Sequence, residues 1–175
     1  MKFTETKLNG ACIVEPLKFE DERGFFATSW SQSEFRERGL NPACVQCNIS
    51  YNHHKGALRG LHYQAPPHAQ AKFIRCTRGA IYDVTIDLSP GSPTFKQWLG
   101  VELTQDNYKM LFVPEGFAHG YQALADHTEI FYQMSSGYQP GSEGGVRWND
   151  PAFSIQWPLP VTSISPKDAH FPDFV

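Results

Sequence analysis

A mostly β fold of the jelly-roll type is what this chain predicts: a β-sandwich curling toward a barrel, with one or two short helices. Three observations carry the prediction. Strand-like runs succeed one another almost without a break, turn chemistry separates them, and one stretch alone has a convincing helix signature. No strand–helix–strand rhythm suggests a parallel sheet. The 13 Phe, 7 Tyr, 4 Trp, 13 Pro and 14 Gly suit many short strands joined tightly.

In chain order, the first strand candidates are GACIVEPLKF (10–19) and GFFATSW (24–30). The helix follows: Ser31 and Glu34 form a capping box, SEFRERG continues it, and Gly39 is placed to end it. ACVQCNIS (43–50), GALRGLHYQ (56–64), AKFIRCTRG (71–79) and AIYDVTIDL (80–88) come next. In AIYDVTIDL, Tyr82, Val84, Ile86 and Leu88 share one face, with Asp83, Thr85 and Asp87 on the other. FKQWLGVELT (95–104), KMLFVPEG (109–116), HGYQALAD (119–126) and TEIFYQMSS (128–136) complete the set. Turns are expected at Pro66-Pro67, Pro90-Gly91, Pro114-Glu-Gly116 and Pro140-Gly141. The proline-rich tail after Trp157 is expected to pack as an irregular strap. No repeat, low-complexity segment or linker divides the chain, so residues 1–175 are read as one domain.

Fifteen basic against eighteen acidic residues leave a net charge of −3, with no basic stripe, which argues against a nucleic-acid partner. A phosphorylated ligand needs only a few convergent cations. The N-terminal stretch has no apolar signal core, and no apolar run reaches membrane-span length, so a cytoplasmic protein without membrane contact is expected. Cys44 and Cys47 are spaced C-x-x-C, but no second pair matches them. Cys12, Cys44, Cys47 and Cys76 are therefore read as structural.

Serine-hydrolase, P-loop and dinucleotide motifs are absent. Asp83 and Asp87 share a strand face, but four residues of strand separate them by about 13 Å, wider than the roughly 5–9.5 Å of glycosidase pairs. They are expected to solvate a surface or join polar networks. Pro114-Glu-Gly-Phe-Ala-His119 has the P-x-G-x-x-H shape of the second cupin motif, whose histidine often binds iron or manganese. The companion H-x-H and glutamate are missing. LHYQ offers His62 alone, with Gln64 beyond it, and His68 follows two prolines on a loop. No metal is therefore expected, and the chain reads as a cupin-like shell without one.

Proton transfer remains. An imidazole suits base work near neutrality, so His62 could take a proton, Lys72 can stabilise an enolate, Tyr132 can donate a proton, and Asp168 could hold an imidazole. Taken singly, each has a purely structural alternative, and spacing leaves both open.

Ten strings in order connect them: DERGFF (21–26), QCNIS (46–50), LRGLHYQ (58–64), QAKFIRC (70–76), DVTIDL (83–88), SPTFKQW (92–98), VPEGFAHGY (113–121), EIFYQ (129–133), SEGGVRWNDP (142–151) and ISPKD (164–168). The set resembles the dTDP-4-dehydrorhamnose 3,5-epimerase family from about Asp21 to Asp168. That resemblance implies a cupin-like jelly roll, a homodimer and cofactor-free catalysis. The implied substrate is a dTDP-linked 4-keto-6-deoxyhexose in L-rhamnose or other deoxysugar biosynthesis. It implies His62 as base, Asp168 as its dyad partner, Lys72 as enolate stabiliser and Tyr132 as the opposing acid.

The implied substrate contacts are Arg23, Phe26, Gln46, Asn48, Arg59, His119, Tyr138, Glu143 and Lys167. Arg23 and Phe26 would reach a partner's site. One position departs from the family pattern: Thr28 stands where a ligand-contacting glutamate is usual. A mono-epimerase, a metal-dependent cupin oxygenase or isomerase, and a non-catalytic carbohydrate-binding jelly roll are the competing readings.

Overall fold

A computed structural model describes residues 1–174 and forms two facing antiparallel sheets, as the strand pattern predicts. One sheet has six strands: β1 (Lys2–Glu5), β2 (Cys12–Glu15), β10 (Met110–Val113), β7 (Lys72–Arg78), β12 (Thr128–Met134) and β5 (Gln46–Asn52). The other runs β13 (Glu143–Gly145), β6 (Ala57–Gln64), β11 (Phe117–Ala123), β8 (Ala80–Asp87) and β9 (Trp98–Thr104), with β14 (Ser163–Ile164) added parallel to β6. β3 (Phe19–Asp21) and β4 (Gly24–Phe26) form a separate exposed hairpin. No helix among the described residues is long and apolar enough to cross a membrane.

Helix α1 (Gln32–Glu37) starts where its cap predicts, with the Ser31 hydroxyl accepting the Glu34 amide at 3.4 Å. It exists to bury Phe35, which packs edge-on against Phe73, Phe3 and Phe112 on the outer face of the six-stranded sheet. Truncating so buried a ring would cost about 3–5 kcal/mol.

Between the sheets, Leu8, Ile74, Ile81, Leu111, Phe117 and Ile130 close one end of the sandwich. The outer face of the sheet that contains β6, β11 and β8 carries a further apolar layer. Leu61, Val84, Ile86 and Ala118 meet Val146, Phe153 and Ile155 from the chain that follows β13.

That layer overturns one expectation. Asp83 and Asp87 do not solvate a surface; both are fully buried. The apolar side of β8 faces the C-terminal covering, so its polar side is turned inward between the sheets. Asp87 is satisfied there by the Ser89 amide and the Ser92 and Thr94 hydroxyls, making it a structural node.

The strap after Trp157 lies as expected at first: the Gln122 amide brackets Leu159, donating to its carbonyl at 2.9 Å and accepting its N–H at 3.1 Å. It then ends in more structure than its composition predicts, namely β14 and a one-turn helix α2 (Pro166–Ala169). Ser165 caps α2 and Pro166 starts it. Of the cysteines, Cys12 and Cys76 are buried, their thiols pushed up to about 11 by desolvation. Cys44 and Cys47 are exposed, with sulfurs 3.6 Å apart.

Candidate active site

The site begins with an irregularity in β6. Arg59 pairs with Tyr121 and His62 with His119, so three steps along β6 match two along β11. This is a β-bulge. Simple alternation would point residues 59 and 62 to opposite faces; the extra residue turns both toward the interior. Gly60 makes the bulge possible. Its φ is +112°, and a Cβ there would lie 2.6 Å from the Gly120 Cα and 2.8 Å from the His119 carbonyl oxygen.

The bulge also frees the Gly60 amide from the ladder, and it donates to Asp168 Oδ2 at 3.0 Å. The other oxygen of Asp168 accepts the His62 Nε2–H at 2.7 Å. α2 delivers this carboxylate from behind the strand, and only 4% of Asp168 is exposed. Burial alone would raise its pKa, but hydrogen bonds from His62 and Gly60 outweigh that and hold it below the usual carboxylate value. With Nε2–H committed to Asp168, Nδ1 carries the lone pair of the neutral imidazole.

The six-stranded sheet supplies the opposite wall. Its register lines up Lys72, Met134 and Gln46 in one row across the sheet and Ile74, Tyr132 and Asn48 in another. Lys72 Nζ donates to the His62 carbonyl at 3.2 Å, linking the sheets. Burial brings its pKa down to about 8, opposed by Asp83 and then Glu143. Gln46 donates to Asn48 at 3.0 Å and accepts the Tyr138 amide at 3.2 Å, which ties the loop after β12 to the wall.

These groups line three adjoining cavities, all sharing His62. One of about 170 Å³ holds Arg59, Lys72, His119 and Tyr132; one of about 280 Å³ holds Gln46, Asn48, Tyr138 and Glu143. A third, of about 530 Å³, opens past Arg59, Lys167 and Asp168. Arg59 is braced by Asn52 and the Tyr51 carbonyl, and Lys167 is ion-paired to Glu143. A larger cleft of about 740 Å³, beside the β1–β2 turn and Arg38, contains none of the predicted residues.

Eleven of the thirteen predicted residues therefore converge. Arg23 and Phe26 do not: they sit on the exposed β3–β4 hairpin, where Arg23 pairs with Asp21 at 2.6 Å and Phe26 is 72% exposed. Sequence reasoning missed Asp83, which accepts from His119 Nε2 at 2.9 Å, and the Ser50–Tyr121 hydroxyl pair at 2.8 Å. The polar side of β8 was the available signal for Asp83, read in the wrong direction. Among the described residues no group of three His, Cys, Asp or Glu side chains is arranged to hold a metal ion.

Comparison with known proteins identifies relatives of the same design. A family model described as dTDP-4-dehydrorhamnose 3,5-epimerase matches residues 5–175. The enzyme of that name from Salmonella typhimurium is 44% identical over 170 residues, covering 96% of this chain and 92% of its own. The solved structure of the Bacillus anthracis enzyme, with TDP and PPi bound, is 43% identical and superposes with a TM-score of 0.94 over 99% of both chains. The dTDP-6-deoxy-D-glucose-3,5-epimerase of Legionella pneumophila, in complex with dTDP-4-keto-L-rhamnose, is 39% identical, with a TM-score of 0.89 over 96% of this chain and 89% of that one.

Proposed function

Because this chain belongs to the dTDP-4-dehydrorhamnose 3,5-epimerase family, we propose that its two facing sheets perform a two-sided proton transfer on a nucleotide-linked keto sugar. The reaction is epimerisation at C3 and C5 of dTDP-4-dehydro-6-deoxy-D-glucose, giving dTDP-4-dehydro-L-rhamnose. The observation that carries the mechanism is placement: His62 projects from one sheet and Tyr132 from the other into a single cavity with Lys72.

In this reading Nδ1 of His62 removes the proton next to the C4 ketone, and Asp168 holds the resulting imidazolium. The electron pair of the broken C–H bond moves to the C4 oxygen, where the Lys72 ammonium and His119 meet it. Tyr132 returns a proton to the opposite face of the carbon, inverting it. A base, an oxyanion partner and an acid set across a ring are what that chemistry requires. Arg59 and Lys167 suit the diphosphate, while Gln46, Asn48, Glu143 and Tyr138 line the path for the nucleoside. Deprotonation, enolate stabilisation and reprotonation all use the chain's own side chains.

The exposed hairpin supports a homodimer. Phe19 and Phe26, 68% and 72% exposed, stand beside the exposed Arg23–Asp21 ion pair, and edge strand β5 with its approach exposes Val45 and Ile49. A partner's site would bury the hairpin and gain Arg23 as a phosphate contact. Light scattering of the purified protein, repeated for Phe26→Ser, tests this: a monomeric parent would refute the dimer. Four free cysteines favour a reducing compartment, in keeping with a cytoplasmic reaction.

The reaction is tested in D₂O with dTDP-4-dehydro-6-deoxy-D-glucose. Deuterium should enter at both C3 and C5. Label at C3 alone would make the protein a mono-epimerase, and none at either carbon would reject this substrate.

A further inference from the structure

Asp83 lies mid-strand in β8, with Tyr121 of β11 on one side and Val101 of β9 on the other. It is wholly buried on the face turned to the catalytic cavity. Oδ2 accepts from His119 at 2.9 Å, whereas Oδ1 has no hydrogen-bond partner among the described residues. A carboxylate in such a place is costly unless its charge is used.

The groups facing it are few. β11 presents the His119 imidazole and the Tyr121 phenol, and β9 presents the apolar Val101. Across the cavity, β7 presents Lys72. His62 and His119 are directly opposite each other on β6 and β11, and each imidazole is held by its own carboxylate. The outer pair, His62 with Asp168, serves as base. The inner pair has no role in the proton transfers themselves.

We propose that Asp83 is a positioning residue for the epimerisation: it fixes the His119 ring at the cavity wall and acts as countercharge to Lys72, so that an ammonium meets the developing enolate. The inference rests on the reading of Lys72 as the enolate's partner. Burial brings that lysine down to about 8, and Asp83 is the larger of the two carboxylate influences opposing the fall. Without it, more of Lys72 would be neutral amine at neutral pH, and the neutral form cannot hold a negative oxygen. Burial raises the Asp83 pKa, and His119 first and then Lys72 oppose that rise, so lysine and carboxylate support each other's charge.

The test is the pH dependence of kcat in Asp83→Asn, which removes the charge and keeps a carbonyl oxygen for His119. The alkaline limb, set in the parent by Lys72 losing its proton near 8, should move down by about one pH unit. That is about a five- to sixfold loss of kcat at pH 8, largely recovered at pH 6.5, with KM little changed. An unmoved limb would overturn the proposal, as would an equal loss at every pH.

Asp83→Ser provides a second arm should Asp83→Asn fail to fold. It too removes the charge, so the limb should again move down; an unmoved limb refutes the countercharge. Deuterium exchange by the parent separates the two levels. A parent that incorporates no label fails as an epimerase, whereas a competent parent with an unmoved limb in the variants fails only the role of Asp83.

Discussion

Arg59 and His62 are three residues apart on β6 yet point into the same cavity, because the bulge at Gly60 adds one residue to β6 relative to β11. The same bulge releases the Gly60 amide to Asp168. One backbone irregularity thereby aims a cation at the ligand, aims the base, and anchors the carboxylate behind it.

Gly60→Ala is the direct test of that arrangement. Its methyl would fall 2.6 Å from the Gly120 Cα, backbone that cannot yield, and φ of +112° is strained for any L side chain. A loss of about 3 kcal/mol or more in urea unfolding is expected, with deuterium exchange abolished. A variant as stable and active as the parent would show that the bulge is dispensable.

Asp168→Asn separates positioning from binding. The residue is buried behind His62, so nucleotide-sugar affinity should survive. kcat should fall by about 10²–10⁴-fold, because the amide neither selects the tautomer nor stabilises the imidazolium. Isothermal titration beside single-turnover kinetics reads both, and weakened affinity with intact chemistry would contradict the assignment. Stability gives a second readout. The folded pKa of Asp168 is depressed, so its contribution is present above the unfolded value of about 3.9 and is lost as pH falls through the folded one. The parent's stability should therefore drop in that acid window more steeply than the variant's.

How far the site was legible follows from what kind of pattern each residue makes. His62, Lys72, Tyr132 and Asp168 lie in short ordered strings, and the strings survive any detail of strand geometry. Asp83 was misjudged because alternation reports two faces without saying which is inside. In a sheet covered on both sides, the polar face can be the interior one wherever it lines a cavity. Arg59 illustrates a second limit: parity along LRGLHYQ sets it opposite His62, and only the bulge reverses this. The short α2 escaped notice because four residues make no period, although Ser165-Pro166 is a sound helix start.

Lys72→Met should expose a conflict between stability and activity. The folded pKa of Lys72 is lowered to about 8 from an ordinary 10.5, so the unfolded chain binds more protons between those values. The parent's stability should consequently rise as pH climbs from 8 toward 10.5, and at neutral pH the buried ammonium is a cost. Methionine keeps the stem and removes the charge. A gain of about 1–2 kcal/mol in urea unfolding at pH 7 is expected, alongside loss of exchange at both carbons. Destabilisation at pH 7 would mean that the ammonium's contacts, including the 3.2 Å bond to the His62 carbonyl, outweigh its desolvation.

Tyr132→Phe distinguishes the two halves of the reaction. Tyr132 stands on β12 across the cavity from His62, and its ring packs in the row of Ile74 and Asn48, which phenylalanine can occupy unchanged. Removing the hydroxyl leaves the base able to take a proton and return it to the face it came from. In D₂O the recovered substrate should then gain label with its original configuration, while inverted product falls by about 10²-fold or more. Proton NMR of the recovered nucleotide sugar resolves label and configuration together. Equal loss of exchange and inversion would place Tyr132 in the first step rather than the second, and normal inversion would transfer the acid's role to another donor, with His119 in the same cavity the next to examine.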